Sequence, residues 1–146
     1  MFSRFIATLV VLFSILATIY PVSARITGIT APPTVHPGTP FKVTITTEDF
    51  IDQIINYYMV FGIAPQSNTN TALHTPLGTG YDLVTHKESD TGHGSFKVSV
   101  TIPSTYNPST DGSAVNLRAV VFSAVGASWA PVSGLFSTNI TVTRHK

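Results

Sequence analysis

The chain has 146 residues, 43% hydrophobic and 10% charged, and no cysteine. Without its first 24 residues, whose only charge is Arg4, it has 122, with seven Lys/Arg against seven Asp/Glu. That balance excludes a basic nucleic-acid groove and an acidic tail. Val, Ile and Thr supply 40 of the 122, against five Leu and eight Ala, which excludes a helical bundle and, with so little charge, a disordered chain.

The N-terminus reads as an address. Arg4 provides a positive start, and Phe5–Tyr20 (FIATLVVLFSILATIY) is a 16-residue apolar run that Pro21 interrupts. Val22-Ser23-Ala24 then presents small residues in the A-x-A manner, so a signal peptide over residues 1–24 is expected, cut between Ala24 and Arg25. A bilayer span needs roughly 20 apolar residues, and no later segment approaches that, so no membrane association is expected after processing. Residues 25–146 then form one domain. A β-domain of this size buries about two-thirds of its unfolded surface. It therefore needs no disulfide and would lose no covalent support in a reducing compartment.

Arg25–Thr30 is a first short strand, closed by Pro32-Pro33, and Pro37-Gly38 is a turn. Phe41–Thr47 alternates, with Phe41, Val43 and Ile45 facing a core. Ile54–Ile63 is apolar on both faces, as in a central strand, so the hydroxyls of Tyr57 and Tyr58 need partners or a route to solvent. Ala64–Gly80 reads as a loop and Tyr81–His86 as a short strand. Ser95–Ile102 alternates with Phe96, Val98, Val100 and Ile102 inward, and Pro103–Ser113 is a loop. Val115–Ala124 is a strand, Gly126–Gly134 a connection, and Leu135–Arg144 the last strand, with Phe136, Thr138, Ile140 and Val142 inward. About seven strands at this spacing, with no helical crossover, predict an all-β fold: an antiparallel sandwich of immunoglobulin or fibronectin-III type, with a small closed barrel as the alternative.

Chemistry is sparse. His86, Glu88, Asp90 and His93 lie within eight residues, but neither the spacing nor the donor set matches a closed metal site, so no metal or other cofactor is expected. Gly92-His93-Gly94-Ser95 sets a His near a Ser without a nucleophile elbow, and neighbouring strand residues face opposite sides. No pair of carboxylates is placed at a glycosidase separation. No catalytic residue is assigned. Candidate partner contacts are Trp129 with Ser128, in a connection of small residues, and Tyr106, in a loop; exposed aromatics there would also suit a glycan. Asn139-Ile140-Thr141 is an N-glycosylation sequon, with Asn139 outward if Ile140 is inward.

Several segments, taken in order, carry a resemblance. Arg25-Ile26-Thr27-Gly28-Ile29 is followed by the Thr47-Glu48-Asp49-Phe50-Ile51 step, then by Phe61-Gly62-Ile63 and Leu77-Gly78-Thr79. Leu117-Arg118-Ala119, Gly126-Ala127-Ser128 with Pro131, and Phe136 through Asn139-Ile140-Thr141-Val142-Thr143 complete the series. The chain thereby resembles the fungal necrosis-inducing secreted protein family, over nearly all of the segment after Ala24. It departs from that pattern at Val125, where members often carry Tyr. The resemblance implies a secreted, monomeric, non-enzymatic effector of a plant-associated fungus. Such an effector acts in the host apoplast and host cytoplasm, binds immune-receptor-associated protein kinases, suppresses pattern-triggered immunity and in some cases provokes cell death. A secreted wall- or glycan-binding module is the alternative, and a small hydrolase a third reading.

Overall fold

The computed structural model describes residues 23–90, 92–107 and 111–144; the expected signal sequence up to residue 22 lies outside them. Eight strands follow one another: β1 (Ser23–Thr30), β2 (Thr34–Val35), β3 (Pro40–Phe50), β4 (Ile54–Pro65), β5 (Thr75–Asp82), β6 (Gly94–Thr101), β7 (Ser113–Val125) and β8 (Ala130–Val142). They form two sheets, a three-stranded one in the order β1-β3-β6 and a five-stranded one in the order β2-β8-β7-β4-β5. All pairings are antiparallel except β2 with β8. Consecutive strands repeatedly cross between the sheets, which is the connectivity of the expected sandwich.

Alternation decides which faces meet. Phe41, Val43 and Ile45 of β3 and Phe96, Val98 and Val100 of β6 are buried against Phe61 and Ile63 of β4, Leu117, Ala119 and Val121 of β7, and Ile140 and Val142 of β8. β4 is apolar on both faces because it is central, and it keeps its inward set only by slipping. A bulge at Tyr57 shifts the period, so Ile54 and Asn56 before it and Met59, Phe61 and Ile63 after it all face inward. Tyr58, just past the bulge, donates its hydroxyl to the Thr79 carbonyl, while Tyr57 is exposed.

The largest differences from the sequence reading concern β5, β8 and β2, while the other strand ends shift by a few residues. Residues 75–80, expected in a loop, belong to β5. Pro76 and two glycines at positive φ, Gly78 and Gly80, conceal the strand's alternation, and an edge strand tolerates them. Beyond Asp82 the chain turns instead of continuing to His86. β8 begins at Ala130, so the expected connection shrinks to the Gly126–Trp129 turn, for the same reason of Pro131 and Gly134 on an edge. β2, a two-residue strand between prolines, was not expected; the Thr141 N–H donates to the Pro33 carbonyl and that of Thr143 to Val35.

Candidate partner-binding cleft

At one end of the sandwich the start of β1 and the end of β3 face the starts of β4 and β8 and the end of β7. There a cleft of about 290 Å³ opens, lined by Arg25, Ile26, Phe50, Ile54, Asn56, Val121, Ser123, Val125, Val132, Ser133, Gly134 and Phe136. Its floor is a polar pin. Asn56, 1% exposed, donates from Nδ2 to the Ala24 carbonyl at 2.8 Å and the Ser89 carbonyl at 3.1 Å, and accepts the Ser123 hydroxyl at 2.8 Å. One amide thus ties β1 to β4, β7 and Ser89, in the segment that follows β5. On the rim, the Arg25 guanidinium lies 5.5 Å from the centre of the Phe50 ring, a cation–π contact at the cleft mouth.

Two turns project beside this cleft. The 126–129 turn joins β7 to β8, and the 51–53 turn joins β3 to β4; the Gly126 N–H donates to the Gln53 carbonyl at 2.8 Å and holds them together. Each turn presents a large apolar side chain to water: Ile51 is 98% exposed and Trp129 44% exposed. Val132, at the start of β8 and in the cleft wall, is also 44% exposed. Trp129 takes φ of +51°, a left-handed conformation that strains a bulky residue by on the order of 1–3 kcal/mol. Gly126, at φ of +73°, opens the same turn without that strain.

Trp129 and Ser128 therefore share an exposed turn, as expected, but Tyr106 is not with them. Tyr106 lies beyond the opposite end of β7, beside a recess lined by Pro37, Ser104, Asn107 and Arg144. The 13 residues of β7, at roughly 3.3 Å each, set the two ends about 40 Å apart. Val125, the departure from the family pattern, lines the cleft, whereas Trp129 is outside its lining. Asn139 is exposed on β8. Ala24 and Arg25 lie inside β1, paired with Asp49 and Glu48, and Ala24 is fully buried. A cut between them removes Ser23 and Ala24 from the strand, and with Ala24 one partner of Asn56. Sequence reasoning missed Ile51, Val132 and Asn56. The alternation rule assigns faces within strands, and it carries no signal for which strand ends meet across the two sheets.

The cleft lining holds no carboxylate, imidazole, thiol or amine; its polar side chains are the Arg25 guanidinium, the Asn56 amide and the Ser123 and Ser133 hydroxyls. Among the described residues, no three His, Asp or Glu side chains converge as they would around a metal ion. The turn that follows β5 is held by its own side chains. The Asp82 carboxylate accepts the backbone N–H of Thr85 at 2.9 Å and its hydroxyl at 2.8 Å. Those bonds, the backbone one first, hold Asp82 below the usual carboxylate range. His86 stacks on Tyr81 with ring centres 4.2 Å apart. Burial, and then the charge of Glu88, pushes the Tyr81 phenol up.

The profile of the Nis1 family matches residues 22–141. The chain belongs to the Nis1 family. It is 31% identical over 121 residues to necrosis-inducing secreted protein 1 of Colletotrichum orbiculare, a match covering 82% of this chain and 70% of that protein. It is 33% identical over 121 residues to the protein of the same name from Colletotrichum higginsianum, covering 82% and 79%. Among solved structures, a superoxide reductase (neelaredoxin) from Ignicoccus hospitalis aligns over 84% of this chain and 80% of its own, at 10% identity and a TM-score of 0.40, too low to carry an argument. The family match begins at the edge of β1 and ends within β8, so it spans both sheets and both turns beside the cleft.

Proposed function

We propose that this Nis1-family protein is a secreted fungal effector without enzymatic activity, which binds plant immune-receptor-associated kinases, inhibits them and so suppresses pattern-triggered immunity. It is delivered through the host apoplast to the cytoplasm, and host cell death is one outcome. Family membership supports this reading, together with two relatives that are named necrosis-inducing and secreted. The observation that carries it is the pairing of a mostly apolar cleft and two adjoining turns that expose Ile51 and Trp129. Interface energy concentrates on large side chains that a partner can desolvate, and Trp is foremost among them.

The experiment is retention of the purified domain on immobilised plant kinase domains, run beside chitin and β-glucan. The reading expects retention on kinase domains and inhibition of their phosphotransfer. Retention on glycan alone would overturn it and assign Trp129 to sugar stacking.

A further inference from the structure

β8 is an open edge for most of its length. β2 pairs only with Thr141 and Val142, and no other described strand hydrogen-bonds β8 on that side. Because the Thr141 N–H points to Pro33, away from β7, the N–H groups of Ser133, Leu135, Ser137 and Asn139, at two-residue steps, point the same way. Among the described residues, none of these four has a backbone partner on that side. From Ala130 to Val142 the strand carries no charge, and Leu135 is exposed on it. An uncharged edge of this length is a template for pairing with another strand.

The other long edges are blunted: β1 carries Arg25 and a bulge between Ile26 and Gly28. β6 places Lys97 in mid-strand, and β5 is broken by Pro76 and two positive-φ glycines. β8 has Pro131 at its start, and past that it has only its sequon. Asn139 is exposed and faces the same side of the sheet as Leu135 and Ser137, while Ile140, between the sequon's two polar residues, is buried. The acceptor amide is thus presented at the open edge, about 14 Å along the strand from Leu135.

We propose that Asn139 carries an N-linked glycan and that this glycan covers the open β8 edge and keeps the secreted protein monomeric. The modification rests on the secretory route of the preceding reading and needs no kinase. The glycan supplies the hydrated bulk that the strand's own side chains lack, and it blocks antiparallel pairing of β8 with a second copy. Such pairing would otherwise proceed without like-charge repulsion.

The test is expression of the full chain in a secreting yeast, with intact-mass measurement and sedimentation velocity on the secreted product. The expected result is one endoglycosidase-sensitive glycan, absent from Asn139→Gln and from Thr141→Ala. Protein stripped of glycan by the endoglycosidase, and Asn139→Gln, should shift from monomer to dimer or larger as concentration rises. Adding Leu135→Lys should restore the monomer. Stripping the folded protein keeps the test independent of whether the variants fold. Secreted protein with Asn139 unmodified, or stripped protein that stays monomeric, overturns the proposal while leaving the kinase reading intact. A chain that is not secreted overturns both.

Discussion

At the scale of single residues, Asn56 shows how a polar side chain inside an apolar strand becomes structural. Every hydrogen-bonding group of its amide that the floor uses is matched: two carbonyls accept from Nδ2, and one hydroxyl donates to Oδ1. Buried polar groups left without partners are costly. Asn56→Ala strands the Ser89 carbonyl and the Ser123 hydroxyl and should destabilise the domain by about 3 kcal/mol. For a domain of this size that is on the order of 10 °C in melting temperature. In a chain beginning at Arg25 the Ala24 carbonyl is missing and the loss is smaller. A melting temperature within 2 °C of wild type, roughly 0.5 kcal/mol on the same scale, would mean that the pin carries no stability. Nothing in the run Ile54–Ile63 distinguishes Asn56 from a surface Asn, because its inward orientation and its partners depend on strands far away in the chain.

At the scale of elements, the 66–74 loop has a reason to lie on the outer face of the large sheet. Arg118 points outward from β7 yet is buried, because this loop covers it. Its guanidinium donates to the Ala72 and Asn68 carbonyls and reaches the Asn70 side-chain oxygen. Gly62 beneath the loop permits the approach: a Cβ there would stand 2.6 Å from the Leu73 carbonyl oxygen. Two motifs of the family resemblance, Phe61-Gly62-Ile63 and Leu117-Arg118-Ala119, thereby meet in one device. Arg118→Ala should cost about 3 kcal/mol through unpaired carbonyls and free the loop. Limited proteolysis should then cut within residues 66–74 several-fold faster than in wild type, with the β-sheet circular dichroism unchanged. Equal resistance would contradict the assignment. Arg118→Lys should not restore protection, since an ammonium lacks the guanidinium's forked reach. The inward residues of β3, β6 and β7 were legible in the sequence because period-2 alternation is a local signal. β5 and the start of β8 were not, since their Pro and Gly residues carry turn propensities that only edge pairing overrides.

At the scale of the whole molecule, the two-sheet sandwich was legible from composition, strand spacing and the absence of helical periodicity, and the family from motifs in collinear order. The cleft was not, because its lining comes from five strands far apart in the chain, and no single segment encodes it. The cleft lies at the end of the sandwich where the 51–53 and 126–129 turns are bonded together. The strands below hold those turns, which leaves the turns free to carry contacts. We propose that this end is the partner surface and that Trp129 stands there for contact despite backbone strain. The most direct test measures kinase-domain affinity and melting temperature of Trp129→Gly in parallel. Glycine relieves the positive φ but loosens the unfolded chain, and the two effects offset to within about 1 kcal/mol. The account predicts a melting temperature within roughly 4 °C of wild type and an affinity about thirtyfold weaker. A steep fall in melting temperature, or an affinity unchanged by the substitution, would show that Trp129 serves the fold and not the partner.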